Sequence, residues 1–151
     1  MKIIVTGGAG FIGKHLVKFL IKKEISITIF DNFSNSKEES IIHLKNQGVK
    51  IIKGDIRKIQ EINDAVKNHD IVIHLAAKIS VEESMKNPSE TFQTNVEGTK
   101  NTLIACEKNG IKKIIVSSSA AVYGESEADI KLTEKSKINP ISPYGESKVM
   151  M

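Results

Sequence analysis

Thr6-Gly7-Gly8-Ala9-Gly10-Phe11-Ile12-Gly13 is the stretch of sequence that decides the fold of this chain. It follows a short β-branched run and precedes an amphipathic segment, so it predicts a turn between a strand and a helix. Gly7, Gly10 and Gly13 fit the spacing G-x-x-G-x-x-G. Glycines at this spacing permit a tight turn, a close approach of the backbone to a pyrophosphate, and close packing of helix on strand. The free N–H groups of the helix N-terminus favour phosphate there, so the stretch predicts dinucleotide binding.

Apolar runs and helical patterns alternate along the rest of the chain. Strands are predicted at Lys2–Val5, Ile25–Phe30, Val49–Lys53, Asp70–Leu75 and Lys113–Ser117. Helices are predicted at Phe11–Lys23, Glu38–Asn46, Arg57–Asn68, from Pro88 to about Asn109, and from Pro143–Tyr144 onward. This alternation predicts an α/β fold of the Rossmann type, a doubly wound parallel sheet with right-handed crossovers.

Composition narrows the class of protein. The 22 Lys and Arg residues exceed the 18 Asp and Glu residues by four, but they form no dense basic run, so a solvated surface is favoured over a nucleic-acid interface. The single cysteine, Cys106, excludes an internal disulfide, is expected to lie in the core, and favours a reducing compartment. No leader or membrane-spanning run is recognised, so the sequence predicts a cytoplasmic protein without a membrane partner. No metal site is predicted.

Asp31 directs the choice of cofactor. It lies 31 − 13 = 18 residues after Gly13, and an acid near that distance accepts hydrogen bonds from the adenosine ribose hydroxyls and repels a 2′-phosphate. The residues that follow, Asn32, Phe33 and Ser34, bring no cation, so NAD is predicted over NADP. The alternative is that Asp31-Asn32 only forms a turn. Asp55-Ile56, after the third strand, is a weaker prediction for the adenine side, since Gly-Asp is also a common turn.

Tyr144 and Lys148 place a phenol and an ammonium four positions apart, on one face of a helix. A neighbouring cation favours the phenolate and makes it a better base. The fifth strand runs into Ser117-Ser118-Ser119, which puts hydroxyls where parallel sheets hold their ligands. A Y-x-x-x-K pair alone is common on surface helices, so its weight depends on the other motifs. His74 is interpreted as packing at a strand end.

Together these motifs resemble the extended short-chain dehydrogenase/reductase family, and within it the UDP-glucose 4-epimerase-like enzymes. The resemblance runs through nearly the whole chain in the family's order. It is carried by Thr6–Gly13, Asp31-Asn32, Gly54-Asp55-Ile56, His74-Leu75-Ala76-Ala77, Asn95-Val96-Glu97-Gly98-Thr99, Ser117–Gly124 and Tyr144–Lys148.

The resemblance implies roles for individual residues. Tyr144 would be the acid/base, Lys148 would stabilise the phenolate and bind ribose, and Ser119 would hydrogen-bond the reacting sugar hydroxyl. Bound NAD, a UDP-sugar substrate and a homodimer of the complete enzyme are also implied. Lys78 has the open alternative of a solvated lysine. The cofactor would be lined by Gly7, Gly10, Phe11, Ile12, Gly13, Asp31, Asn32, Asp55, Ile56, Leu75, Ala76, Ala77, Lys78, Asn95, Ser117, Tyr144 and Lys148.

The reaction and the extent of the protein remain open at this point. Dehydratases of the family use an acidic pair just after the serine segment, and decarboxylases carry a glutamate there. This chain has Ala120-Ala121 in that stretch. The absence of carboxylates there favours 4-epimerisation. The chain stops at Met150-Met151 inside a helical pattern. Residues 1–151 are therefore expected to form an incomplete NAD-binding domain, without its last strands and its substrate region, and inactive alone. The alternatives are a dehydratase or decarboxylase, a non-catalytic NAD-binding or redox-sensing module, or an inert fragment.

Overall fold

In residues 1–125 and 131–151, which the computed structural model describes, five strands run parallel in one sheet. They are β1 (Lys2–Thr6), β2 (Ser26–Asp31), β3 (Lys50–Lys53), β4 (Ile71–His74) and β5 (Lys113–Val116). Their order across the sheet is β3-β2-β1-β4-β5, so the chain builds outward from β1 to one side and then returns to build the other. This reversal makes the carboxyl end of β1 a switch point, where open α/β sheets bind ligands. The predicted doubly wound parallel sheet is confirmed.

Helical segments connect the strands. The α-helices are α1 (Phe11–Ile21), α2 (Ile59–Val66), α3 (Val81–Lys86), α4 (Pro88–Phe92), α5 (Gly98–Lys108) and α6 (Pro143–Met150). Shorter turns of 3₁₀ helix occupy Glu38–Ser40, Ile42–Gln47 and Ala120–Val122, and a π-helical turn occupies Gln93–Glu97. No helix in the described part of the chain has the length and apolar character needed to cross a lipid bilayer.

The chain divides into two compact units. The first, here called the sheet unit, comprises Met1–Ala76 and Gly98–Ser117 and holds all five strands with α1, α2 and α5. The second, here called the helical unit, comprises Ala77–Glu97 and Ser118–Met151 and holds α3, α4, the π-helical turn and α6.

Two apolar clusters form the core of the sheet unit. Ile3 and Val5 belong to one cluster, with Val17 of α1, and Ile4 belongs to the other, with Ile62 of α2. Successive residues of a strand point to opposite faces of the sheet, so the sheet is covered on both sides. Cys106 lies in the second cluster, as expected from the sequence, and burial raises the pKa of its thiol to about 11.

The segment Glu38–Asn46 differs from the single α-helix predicted for it. It contains two 3₁₀ turns, separated at Ile41, whose φ of −124° is not helical. Ile41 and Leu44 are both fully buried. Residues three apart eclipse each other in a 3₁₀ helix, so this tighter turn places both side chains on the core side.

The helix predicted from Pro88 to about Asn109 is also different in detail. The structure has α4, then the π-helical turn Gln93–Glu97, then α5. Buried polar side chains coincide with the π-helical turn, and Asn95 is fully buried there. A π-helical turn widens the backbone spacing and commonly accompanies a functional site. The short helix α3 was not predicted, although Ser80, whose side chain accepts the N–H of Glu83, provides the cap signal S-x-x-E.

His74 lies at the end of β4 and is fully buried, in agreement with the interpretation that it packs at a strand end. Its Nδ1 is 2.8 Å from the hydroxyl of Thr6, and its Nε2 is 3.0 Å from the hydroxyl of Thr99 in α5. The ring therefore connects β1, β4 and α5 by hydrogen bonds in the interior of the sheet unit. Buried polar groups of this kind depend on their partners for stability.

We expect Thr99→Val to lower the free energy of unfolding by about 1–3 kcal/mol, because it keeps the side-chain shape but removes the hydroxyl that contacts His74. Urea denaturation followed by circular dichroism measures this change. The control is Thr133→Val at an exposed position, where a change within about 0.5 kcal/mol is expected. Equal stability of the two variants would contradict a stabilising role for the Thr99–His74 bond.

Candidate active site

The glycine turn after β1 is closed so tightly that two of its glycines have no room for a side chain. A Cβ on Gly13 would lie 2.5 Å from the carbonyl oxygen of Gly7, and a Cβ on Gly7 would lie 2.7 Å from the backbone nitrogen of Ala76. Gly7 also has a φ of +68°, in the left-handed region that favours glycine. Helix α1 therefore begins directly at the carboxyl end of β1, with no acidic residue in its first turn to compete for an anion.

Asp31, at the end of β2, braces this turn. Its Oδ2 accepts the N–H of Ala9 at 3.0 Å, and its Oδ1 accepts the N–H of Phe33 at 2.8 Å. The bond to Phe33 closes the turn that the alternative interpretation proposed, but the bond to Ala9 reaches into the glycine turn itself. Each carboxylate oxygen keeps a further lone pair for another donor. Asp31 is thus both a turn residue and an acid placed beside the glycine turn.

A second acid, Asp55, lies nearby in the sheet unit. Its Oδ2 is 2.6 Å from the Nη2 of Arg57 and accepts a hydrogen bond of 3.4 Å from the amide of Asn32. The hydrogen bonds from the Arg57 guanidinium hold the pKa of Asp55 below its usual value, although partial burial opposes this. Arg57 is a cation close to Asp55, and its role was not predicted from the sequence. Its position two residues after Asp55, in a turn, was the available signal.

Of the other residues of the sheet unit that were predicted to line the cofactor, some lie at the carboxyl ends of strands and one is buried in the core. Leu75 and Ala76 follow β4 and donate their N–H groups to the backbone and the hydroxyl of Thr6, directly beside the glycine turn. Ser117 follows β5 and donates its N–H to the carbonyl of His74. The side chain of Ile56, in contrast, is buried in the core, so any contact of this residue with a ligand would fall to its backbone.

Phe11 and Ile12, also predicted to line the cofactor, open α1 with strongly exposed side chains, at 79% and 62% of full exposure. The ring of Phe11 packs edge-on against His15, one turn later in the helix. Their backbone N–H groups belong to the first turn of α1, where a helix leaves its donors without helical partners. Backbone contacts to a phosphate therefore require no burial of these two side chains.

In the helical unit, α6 carries two of the three predicted catalytic residues, Tyr144 and Lys148. Ser142 caps this helix by accepting the N–H of Gly145 at 3.1 Å, and Pro143 occupies the first helical position. This is the usual preference of serine and proline at a helix start, and it confirms the helix start predicted near Pro143–Tyr144.

Ser119, the third predicted catalytic residue, lies just before the 3₁₀ turn Ala120–Val122 and caps it. Its Oγ accepts the N–H of Ala121 at 3.2 Å, which leaves the hydroxyl hydrogen for another acceptor. Gly145 of α6 packs on this turn, since a Cβ there would lie 2.7 Å from the carbonyl oxygen of Ala121. The helical unit thus brings the segment that holds Ser119 against the helix that holds Tyr144 and Lys148.

Lys148 is buried, with only 6% of its surface exposed. Burial disfavours a charged ammonium and lowers the pKa of Lys148 from its ordinary 10.5 to about 8. A lysine held in this way keeps most of its charge at pH 7. It is also no surface lysine, which removes the ordinary explanation of a Y-x-x-x-K pair as two solvated helix residues.

Lys78, Ala77 and Asn95 lie in the same unit. The ammonium of Lys78 is 3.1 Å from a carboxylate oxygen of Glu90, and the side chain is only 22% exposed, so Lys78 is not simply solvated. Ala77, the first residue of the unit, is partly buried. The side-chain amide of Asn95 accepts the N–H of Lys78 at 2.8 Å and donates to the carbonyl of Lys78 at 3.0 Å. Contact of these residues with a cofactor stays a prediction.

Several polar residues of the helical unit were not singled out from the sequence. Ser84 and Ser147 are fully buried and hydrogen-bonded to α6, and Glu90 pairs with Lys78. The dipeptide Ser142-Pro143 was a readable signal for the start of the helix. Ser147 lies inside the motif Tyr144–Lys148 without an assigned role there, and no pattern in the chain distinguishes Ser84 and Glu90 from surface serines and glutamates.

Comparison with known proteins gives a match over nearly the whole chain. Residues 3–151 match the model of the NAD dependent epimerase/dehydratase family. UDP-glucose 4-epimerase 3 of Oryza sativa subsp. japonica is 37% identical over 158 aligned positions, which cover 99% of this chain and 42% of the rice protein. The chain therefore spans less than half the length of this relative.

Solved structures agree with this match. The UDP-Glc/GlcNAc 4-epimerase of Campylobacter jejuni superimposes with a TM-score of 0.93 at 35% identity, over 99% of this chain and 46% of that one. A dTDP-glucose 4,6-dehydratase of Streptomyces venezuelae, solved with NAD and TYD bound, gives a TM-score of 0.92 at 28% identity, over 99% and 49% of the two chains. The backbone is thus shared by proteins that catalyse two different reactions.

We expect Lys148→Met to raise the free energy of unfolding more at pH 7 than at pH 10. The difference between the two effects should be about 2–3 kcal/mol. With a pKa of about 8 folded and 10.5 unfolded, the unfolded chain binds more protons between these values. The contribution of Lys148 to the free energy of unfolding therefore rises as the pH rises from 8 to 10.5. Below pH 8 the buried ammonium lowers the free energy of unfolding by its full amount. Urea denaturation of both proteins at the two pH values measures the difference. A difference that does not change with pH would contradict the lowered pKa.

Proposed function

The chain belongs to the NAD-dependent epimerase/dehydratase family, and on this premise we propose that it is the cofactor-binding part of a sugar-nucleotide 4-epimerase of the UDP-glucose type. The observation that carries the proposal is the helical unit, in which α6 presents Tyr144 and the buried Lys148 and packs on the turn that Ser119 caps. A protein that only binds NAD has no need of this arrangement.

The sheet unit supports the binding of NAD. The turn between Gly7 and Gly13 excludes side chains, which fits the close approach of a pyrophosphate to backbone N–H groups. Asp31 has lone pairs free for the adenosine ribose and carries the charge that disfavours a 2′-phosphate. Arg57 does not reverse this preference, because its guanidinium bonds both oxygens of Asp55.

The residues of the helical unit support the chemistry. When bound, NAD would supply the acceptor, and then the donor, of a hydride at a sugar carbon. Tyr144 takes the proton of the sugar hydroxyl in the oxidation and gives it back in the reduction. Lys148, held as an ammonium at neutral pH, stabilises the phenolate. Ser119 donates its free hydroxyl hydrogen to the reacting sugar oxygen and so positions it.

The residues that follow Ser119 favour epimerisation over dehydration. Elimination of water needs an acid and a base in addition to Tyr144, and Ala120 and Ala121 have no group that can supply either. Dehydration remains the second candidate, because the chain superimposes on a dehydratase almost as well as on an epimerase. Analysis of the products separates the two reactions.

We expect the chain to bind NAD⁺ more tightly than NADP⁺. Asp31→Ala should weaken NAD⁺ binding about tenfold or more and reduce the difference in affinity between NAD⁺ and NADP⁺. The reason is that a charge-assisted hydrogen bond to NAD⁺ and a charge that repels NADP⁺ are lost together. Isothermal titration calorimetry measures both affinities.

The matched control for this experiment is Asp70→Ala. Asp70 also accepts a backbone N–H, from Lys2 at 2.8 Å, but it precedes β4 at the opposite end of the sheet. This variant should leave both affinities within about twofold of the wild type. Tighter binding of NADP⁺ than of NAD⁺ by the wild type would refute the proposed cofactor preference.

A protein of the relatives' full length that contains this sequence is expected to interconvert UDP-glucose and UDP-galactose. In it Tyr144→Phe should lower kcat about 10²–10⁴-fold while NAD⁺ affinity stays close to that of the wild type, since only the acid/base is removed. Nuclear magnetic resonance identifies the sugar product. A 4-keto-6-deoxy sugar would establish dehydration and exclude the epimerase proposal.

A further inference from the structure

We propose that Ser84 and Ser147 are positioning residues, which hold α6, and with it Tyr144 and Lys148, through two buried hydroxyl groups. The inference rests on the proposed function, because it assigns these serines to the geometry of the same catalytic pair. Both side chains are fully buried in the helical unit. Ser84 lies outside the motifs that carry the family resemblance, and Ser147 lies inside Tyr144–Lys148 without an assigned role there.

Ser84 fixes the beginning of α6. Its Oγ accepts the backbone N–H of Tyr144 at 3.1 Å and donates to the carbonyl of Val81 at 2.6 Å, one turn earlier in α3. The first N–H groups of a helix have no partner within it, and here a side chain from a different helix supplies one. The bond to Val81 sets the direction of the hydroxyl, so the lone pair that receives Tyr144 has a defined orientation.

Ser147 fixes the same helix one turn later. Its Oγ donates to the carbonyl of Tyr144 at 2.7 Å and accepts the amide of Asn95 at 2.8 Å. Asn95 lies in the π-helical turn and also bonds both backbone groups of Lys78. A hydroxyl suits this position because it donates and accepts at once. Alanine there would deprive the buried amide of Asn95 of one partner, which is costly.

The two attachments lie three residues apart along α6, about 4.5 Å along its axis. Two points of attachment at different heights restrain both the rotation of a helix about its axis and its translation along it. The phenol of Tyr144 and the ammonium of Lys148 project from this helix, so their directions depend on that restraint. Catalytic groups lose much of their effect when displaced by about 1 Å.

Neither serine needs to touch a ligand to act in this way. Each hydroxyl donates one hydrogen bond to a backbone carbonyl and accepts one from an N–H group of the same unit. Their effect on binding should therefore appear only for the part of a ligand that Tyr144 and Lys148 contact. This separates a positioning role from a general contribution to folding.

The test compares the affinities of NAD⁺ and ADP for the 151-residue chain and for Ser84→Ala and Ser147→Ala. ADP has the adenosine and pyrophosphate assigned to the glycine turn and Asp31, but lacks the nicotinamide ribose assigned to Lys148. We expect each variant to weaken NAD⁺ binding about three- to tenfold and to leave ADP binding within about twofold of the wild type.

The matched control is Thr102→Val, which removes another fully buried helical hydroxyl. Thr102 lies in α5 of the sheet unit and donates to the carbonyl of Gly98 at 2.9 Å, much as Ser147 donates to Tyr144. It should not change the ratio of the two affinities. An equal loss of NAD⁺ and ADP binding in the serine variants, or no loss in either, would overturn the positioning role.

Amide hydrogen exchange provides a readout that does not depend on the cofactor. Exchange in a peptide spanning residues 143–151 should be about three- to tenfold faster in both serine variants than in Thr102→Val, with β1 unchanged. If the wild type binds neither NAD⁺ nor ADP, the proposed function fails. The positioning of α6 is then decided by exchange alone, and unchanged exchange in residues 143–151 would refute it.

Discussion

The close approach of backbone to backbone in the glycine turn is the constraint on which the sheet unit depends. Because only a hydrogen atom fits at Gly7 and Gly13, α1 packs against the turn that leaves β1, and that turn packs against the segment that follows β4. Asp31 adds a hydrogen bond from β2 to the same turn. Three neighbouring strands thus converge on one anion-attracting helix end, at the switch point of the sheet.

The helical unit follows a different principle, since it is organised by buried polar groups. Asn95, Ser84, Ser147 and Lys148 are all buried there, and such groups are tolerated only when their hydrogen-bonding capacity is used. The hydrogen bonds that Ser84, Ser147 and Asn95 make are directional, so they specify one position of α6 more sharply than apolar contacts do. Burial of the Lys148 charge destabilises the fold at neutral pH but strengthens its electrostatic effect on neighbouring groups. The charge that the proposed function needs at Lys148 therefore also lowers the stability of the fold.

The comparisons separate what the family shares from what distinguishes its reactions. A backbone that superimposes on an epimerase with a TM-score of 0.93 and on a dehydratase with 0.92 does not select between them. The distinction depends on individual side chains at a common backbone, as is general for folds that host several activities. In this chain the 3₁₀ turn after Ser119 begins with two alanines, which have no acidic or basic group, and the proposal of epimerisation rests on this observation.

The sequence by itself determined the parallel sheet, the glycine turn and the start of α6, because periodicity, glycine spacing and a Ser-Pro cap are local signals. The spacing of Tyr144 and Lys148 predicted that they share one face of a helix, whereas their proposed roles came from the resemblance carried by all the motifs together. Only the tertiary structure showed that Arg57 pairs with Asp55, that Lys148 is buried, and that a π-helical turn brings Asn95 to Ser147. Burial and pairing between residues distant along the chain, 52 positions apart for Asn95 and Ser147, leave no periodic trace in the sequence, since they arise only when separate elements pack together.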